Sequence, residues 1–137
     1  MRFPIDIKTS VFLGGVKQTI HIWGTNMSNP VVLFLHGGPG IPNRHGIAKN
    51  HMDLLDDFTI VAWDQRGTGG SYFGCDPATL TLDQLVSDCA ELLKWLCHRL
   101  NKKKIFLLGA SWGTELGTFV CQSVSCLATV TLIKPLA

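Results

Sequence analysis

Hydrophobic positions along this chain fall into short continuous runs, each followed at once by a glycine-rich or charged segment. Three runs, Val31–Leu35 (VVLFL), Thr59–Trp63 (TIVAW) and residues 105–108 (IFLL), are apolar at nearly every position. Strands without a polar side are typical of sheets that are covered on both faces. Residues 128–133 (ATVTLI) predict a final strand.

Helical spacing of apolar residues is clearest over residues 81–100, which predict the principal helix. Thr81 with Gln84 fits a capping box at its start. Two further helices are predicted, one over residues 112–124 and a shorter one over residues 47–55.

The N-terminal part predicts two short strands, residues 3–7 and 19–23, separated by a turn signal at Gly14 and Gly15. Beyond them, apolar strands alternate with helical segments. This alternation predicts an α/β fold with a mainly parallel sheet and helices on both faces. Ligands of such sheets bind outside the carboxyl ends of the strands, where the glycine-containing motifs of this chain also lie.

Composition excludes several classes of protein. With 46% apolar and 16% charged residues, the chain is too apolar to be disordered. Twelve Lys and Arg against ten Asp and Glu give a charge of +2, too near neutral for a nucleic-acid partner. The apolar runs are far shorter than the ~20 residues of a membrane span, and no secretory signal is expected. Five cysteines without a C-x-x-C pair predict reduced thiols and a cytoplasmic location.

The motif G-x-S-x-G occurs as Gly109-Ala110-Ser111-Trp112-Gly113. A predicted strand enters it and a predicted helix leaves it, which is the setting of a nucleophile elbow that exposes a serine hydroxyl. The backbone N–H groups at the start of that helix can face a developing oxyanion. The alternative interpretation is a tight turn whose serine only caps the helix.

A second glycine-rich segment, residues 36–40 (HGGPG), follows the VVLFL strand. Acyl transfer needs two converging backbone donors, and a glycine-rich loop offers N–H groups unobstructed by side chains. A phosphate-binding loop is excluded because no Gly-Lys-Ser/Thr follows. His36 at the end of the strand is predicted to be structural rather than a proton shuttle.

Together, HGGPG at 36–40, WDQRGTGGS at 63–71 and GASWG at 109–113 resemble the α/β-hydrolase superfamily, in particular its proline iminopeptidases. The resemblance implies an α/β-hydrolase core, of which residues 1–137 are the N-terminal part of one domain, truncated before the cap domain and the final strands. It implies a serine hydrolase that releases N-terminal residues from small peptides through an acyl-enzyme. No cofactor or metal is implied.

The resemblance also implies roles for individual residues. Ser111 resembles the nucleophile, and the backbone N–H groups of Gly38 and Trp112 resemble the two oxyanion-hole donors. The segment Asp64-Gln65-Arg66 looks like scaffold for the rim of the site, held by an Asp–Arg pair. The Trp112 side chain is expected either beside the substrate or in the core.

A serine nucleophile needs a base and an orienting acid, which in this superfamily follow it along the chain. After Ser111 the sequence has no His and no Asp, and its only acid is Glu115, four residues on. Three interpretations remain open. One is a peptidase of this type with an incomplete triad in these residues, another an esterase or lactonase with the same core, and the third a non-catalytic fragment or binding module.

Overall fold

The fold is that of a computed structural model, which describes residues 4–124 and 128–132. Its strands are β1 (Ile5–Leu13), β2 (Val16–Gly24), β3 (Val31–Leu35), β4 (Thr59–Trp63), β5 (Ile105–Gly109) and β6 (Ala128–Leu132). They form one six-stranded sheet in the order β1-β2-β4-β3-β5-β6. Strands β4, β3, β5 and β6 are parallel neighbours, whereas β1 and β2 form a hairpin that joins β4 antiparallel. The predicted α/β fold class is confirmed, with a mixed sheet.

The buried strands were the easiest to predict. The bounds of β3 and β4 are those of the apolar runs, and every residue in them is buried. Strand β5 includes Gly109. The side of this strand that carries Phe106 is less covered than predicted, since Phe106 is 37% exposed. Ile133, predicted at the end of the last strand, lies outside the described residues.

The N-terminal strands are longer than predicted. They pair from Ile5 opposite Gly24 to Leu13 opposite Val16, around the turn at Gly14 and Gly15. In β1, exposed side chains alternate with half-buried ones. The apolar runs end where polar residues begin, but the backbone hydrogen bonds of a hairpin continue past those residues. The strands are therefore longer than the apolar pattern indicates. Phe3, placed in the first predicted strand, lies outside the described residues.

The helices are α1 (Arg44–Asn50), α2 (Leu82–Arg99) and α3 (Trp112–Ser123). The helix predicted over residues 47–55 is instead α1 followed by a 3₁₀ helix, Met52–Asp56. At the start of α2, the Thr81 hydroxyl accepts from the Gln84 N–H, as the capping box predicts. The reciprocal half of the box is not formed, because the Gln84 side chain donates to Asp88 instead.

Two layers of helix cover the sheet. Helices α2 and α3 pack on one face against a core that includes Leu33, Leu35 and Leu107, while Ile47 of α1 packs on the other face against Phe34. Helices on both faces are therefore confirmed. Strands β3, β4 and β5 end at one edge of the sheet, so the segments that follow them meet there. No helix among the described residues is long and apolar enough to cross a membrane.

Candidate active site

Ser111 lies at the turn between β5 and α3, where the sequence predicts a nucleophile elbow. It is exposed and has φ +53° and ψ −119°. A non-glycine residue held at positive φ costs about 1–3 kcal/mol, and such strain clusters at functional sites. Its side chain makes no capping hydrogen bond to α3, which counts against the interpretation of Ser111 as a simple helix cap.

The two glycines of the elbow allow a close approach of backbone segments. A Cβ at Gly109 would overlap the carbonyl of Gly113, and a Cβ at Gly113 would overlap the carbonyl of Leu35 in β3. The elbow is further tied to β3 by a hydrogen bond from the Ala110 N–H to the Leu35 oxygen, 3.3 Å. The G-x-S-x-G pattern therefore has a packing reason at each glycine.

Gly113→Ala is expected to lower the free energy of unfolding by about 3 kcal/mol, because its methyl group overlaps backbone rather than a movable side chain. Gly117→Ala in the same helix is the matched control. A Cβ at Gly117 would lie 3.3 Å from its nearest neighbour, a methyl group of Leu35. The higher helix propensity of Ala stabilises the folded protein by up to about 1 kcal/mol. Urea unfolding of both variants measures the difference, and equal stabilities would contradict this packing account.

The HGGPG loop (residues 36–40) lies directly against the elbow. A Cβ built on Gly37 would be 3.3 Å from the Ser111 Cβ and 3.1 Å from the Ala110 oxygen. The next residue, Gly38, has φ +119° and precedes a cis peptide bond to Pro39. The Ile41 N–H closes the loop by donating to the Gly37 carbonyl, 3.2 Å. Convergence of the Gly38 and Trp112 N–H groups beside Ser111 remains a prediction.

Trp112 is the first residue of α3. Its two successors donate back within the turn, from the Gly113 N–H to Ala110 and from the Thr114 N–H to Ser111, both at 2.9 Å. Among the described residues, the Trp112 N–H has no such acceptor. The indole is half-buried against the larger core and also lines a cleft. The core position is thus observed, and a position beside the substrate remains a prediction.

A cleft of about 270 Å³ lies between the HGGPG loop, the start of α2 and Trp112. Its apolar wall consists of leucines, Leu80, Leu82 and Leu85. Backbone and polar groups of residues 65–68 form another side. Such a cleft suits a small apolar group with a few polar contacts.

The rim segment is buried rather than exposed, and its ion pairing differs from the prediction. Asp64, Gln65 and Arg66 are each no more than 3% exposed. Arg66 pairs with Asp88 of α2, with the Nε to Oδ2 distance 2.7 Å. Asp64 lies instead near Arg44 of α1, 3.6 Å from its Nε. The expected Asp–Arg pair within the segment is wrong, because each charge is matched by a helix packed on a different face of the sheet.

The position of Asp88 in the sequence does indicate a buried, paired carboxylate. It lies three residues after Leu85 and next to Cys89, on the face of α2 that is otherwise apolar. A charged residue at a core position is rarely fully buried unless it is paired. The carboxylate also accepts hydrogen bonds from Gln18 and Gln84. The role of Asp88 was not predicted, because the helix was predicted from the spacing of its apolar residues alone.

Within the described residues, no imidazole lies within hydrogen-bond distance of the Ser111 hydroxyl. His36 bonds the Gln65 backbone and His21 bonds Asp6. Glu115 is exposed in the first turn of α3. The structure thus brings the elbow and the HGGPG loop together, and none of the described imidazoles bonds the Ser111 hydroxyl.

Comparison with known proteins relates the chain to one family. Residues 30–135 match the family model described as alpha/beta hydrolase fold. A probable aminopeptidase of Bacillus subtilis is 37% identical over 119 residues, which are 86% of this chain and 37% of that protein. A proline iminopeptidase of Lactobacillus acidophilus is 33% identical over 110 residues, or 79% of this chain and 36% of that protein. The chain thus spans just over a third of the length of these relatives.

A solved structure gives a similar result. The proline iminopeptidase-related protein of Thermus thermophilus superposes with a TM-score of 0.75 and 28% identity. The match covers 98% of this chain and 45% of that protein.

Proposed function

The chain belongs to the alpha/beta hydrolase fold family, and on that premise we propose that it carries the nucleophile and oxyanion hole of a serine hydrolase of proline-iminopeptidase type. Ser111 is the nucleophile, and the backbone N–H groups of Gly38 and Trp112 are the oxyanion donors. Residues 1–137 are the N-terminal part of one hydrolase domain. The single observation that carries the proposal is the exposed Ser111 at positive φ, with Gly37 packed against it.

The proposed chemistry is acyl transfer. The Ser111 oxygen attacks the carbonyl carbon of the scissile peptide bond, and its proton passes through a base to the leaving amine. The developing oxyanion is stabilised by two N–H donors at ~2.7–3.1 Å, one from the HGGPG loop and one from the start of α3. Water then hydrolyses the acyl-enzyme and frees the acyl residue.

The proposed substrate is a small peptide whose N-terminal residue fits the leucine-walled cleft. Two observations support this choice, the names of the relatives and the size of the cleft, about 270 Å³. A proline-sized ring is apolar and compact, which suits such a wall. The proposal includes the cytoplasmic location predicted from the cysteines.

The base is the part of the chemistry that these residues do not supply. No His or Asp follows Ser111 in the 137 residues. Glu115 extends from the elbow helix itself and is too near in the chain to replace an acid on a later strand. We therefore propose that the 137 residues alone are inactive and need a base from other residues.

A chimera tests the nucleophile directly. Residues 1–124 are joined to the part of the Bacillus subtilis relative that follows its matched segment, and circular dichroism establishes that the product folds. We expect hydrolysis of a prolyl arylamide that Ser111→Ala lowers by about 10⁴-fold or more, since the nucleophile has no substitute. Ser123→Ala, at the exposed end of the same helix, is the control and retains activity.

Two outcomes would change the assignment. A folded chimera whose activity survives Ser111→Ala would overturn Ser111 as the nucleophile. Turnover of short acyl esters without any of the arylamide would replace the peptidase by the esterase or lactonase alternative.

A further inference from the structure

The HGGPG loop is fastened at its first residue to the segment that follows β4. His36 is buried, with 5% of its surface exposed, and it accepts two hydrogen bonds from Gln65. The Gln65 backbone N–H donates to His36 Nε2 at 3.1 Å, and the Gln65 side-chain amide donates to the His36 carbonyl at 3.1 Å. One bond thus depends on the imidazole and the other does not.

These contacts determine which nitrogen of His36 carries its proton. A backbone N–H can only donate, so Nε2 must be the unprotonated nitrogen of a neutral ring. The proton then lies on Nδ1, which is 3.1 Å from the Gly37 carbonyl oxygen and donates to it. The Thr68 hydroxyl, 3.4 Å from Nε2, donates to the Gln65 carbonyl at 2.7 Å. The bond from the Gln65 N–H and the contact with the Gly37 carbonyl are those of a neutral ring that is protonated on Nδ1.

We infer that His36 is a positioning residue of the oxyanion hole, which holds the HGGPG loop against Ser111 only as the neutral imidazole with its proton on Nδ1. The inference rests on the proposed function for the importance of that loop. Its physical reason is that Gly37, whose carbonyl accepts the hydrogen bond from Nδ1–H, is also the residue packed on Ser111. Protonation of Nε2 would place two donors face to face and release the bond to Gln65.

The surroundings of the ring favour the neutral form. Burial lowers the pKa of His36 below its ordinary value, and it outweighs the Gly37 carbonyl and the Asp64 charge, which both raise it. The charge of Asp64 is in turn opposed by Arg44, 3.6 Å away. The other titratable group that lines a small cavity with His36 is His51. Among the residues that the structure describes, Asp64 is thus the one negative charge that acts on the ring.

The pH dependence follows from the lowered pKa. Above the ordinary pKa of about 6.5, the ring is neutral in both the folded and the unfolded chain, and the bond is intact. As the pH falls below that value, the unfolded chain binds a proton that the folded chain resists, so stability declines towards the folded pKa. The bond from Gln65 is lost as the pH passes below the folded pKa.

Nitrogen-15 NMR of the 137-residue chain tests the inference without any activity. At pH 7.5 the ring of His36 is expected to show a protonated Nδ1 and an unprotonated Nε2. On lowering the pH, hydrogen-exchange protection of the Gln65 amide is expected to fall by up to tenfold per pH unit as the folded pKa is approached, and to level off below it. The Gly37 and Gly38 amide resonances should shift with the same midpoint.

Three variants separate positioning from a general structural role. His36→Gln retains an acceptor but cannot titrate, so the Gln65 amide should stay protected and lose its dependence on pH. His36→Phe removes the acceptor, and protection should be low at every pH. His98→Gln removes an exposed histidine at the end of α2 and should leave the profile unchanged. If His36→Phe does not fold, the Gln variant alone decides the question.

A proton on Nε2 at pH 7.5, or the same pH profile in His36→Gln as in the natural chain, would overturn the inference. These outcomes are independent of the chimera. Loss of the proposed nucleophile would show in the Ser111→Ala chimera and leave the NMR of His36 unchanged.

Discussion

The 137-residue chain is expected to hydrolyse a prolyl arylamide about 10⁴–10⁶-fold more slowly than a complete serine hydrolase of its type. Removing the base of a catalytic triad costs about 10⁴–10⁶ in rate, because the hydroxyl of serine is a poor nucleophile until a base takes its proton. The described structure brings no imidazole to Ser111. An assay with purified chain, with the Ser111→Ala variant beside it, measures the difference.

The expected result is that both proteins have the same background rate. A steady rate that Ser111→Ala abolishes would contradict it, and would mean that one of the five upstream histidines reaches the serine. His36→Gln would then be the first variant to examine, because His36 lies at the start of the loop that packs on Ser111.

Asp88→Ala is expected to lower the free energy of unfolding by about 3–5 kcal/mol, the cost of leaving one member of a buried ion pair without its partner. Arg66 and Asp88 are 3% and 0% exposed. The carboxylate accepts from Arg66 at 2.7 and 3.0 Å, from Gln18 at 3.0 Å and from Gln84 at 2.8 Å. Its removal therefore leaves the buried guanidinium of Arg66 without a counter-charge and takes one hydrogen-bond acceptor from the buried amide of Gln18. Urea unfolding measures the loss.

Asp83→Ala is the matched control, because Asp83 is an exposed aspartate in the first turn of the same helix. Its loss removes only a favourable interaction with the helix dipole, about 0.3–1 kcal/mol. The double variant Arg66→Met with Asp88→Leu removes both charges and should lose less stability than Asp88→Ala alone. Equal losses for the two single aspartate variants would contradict a structural role for the pair.

The pair also has a consequence for the candidate site. The Arg66 Nη2 donates to the carbonyls of Leu13 and Gly14, both at 3.1 Å, while the adjacent Gln65 holds His36. The segment after β4 thus connects the N-terminal hairpin and α2 to the HGGPG loop. Damage to the ion pair should therefore disturb the loop beside Ser111 as well as global stability.

The sequence by itself determined the elements whose side chains are chemically uniform. Strands β3 and β4 and helix α2 were predictable because a strand buried on both faces is apolar throughout, and a helix buried on one side repeats its apolar residues every three to four positions. The location of Ser111 was also predictable, because the G-x-S-x-G motif after a strand is typical of a sharp turn into a helix. The order of residues alone also shows that no His or Asp follows Ser111 in the 137 residues.

Only the tertiary structure decided which distant polar groups meet. Arg66 pairs with Asp88, which is 22 residues away in the chain, and His36 accepts a hydrogen bond from Gln65, which is 29 residues away. The length of the hairpin and the division of the helix predicted over residues 47–55 were likewise not determined locally. Hydrogen bonds and ion pairs depend on distances of a few ångströms and on the direction of each donor, and these are set only when the sheet and helices pack together. A local pattern of apolar residues carries no such information.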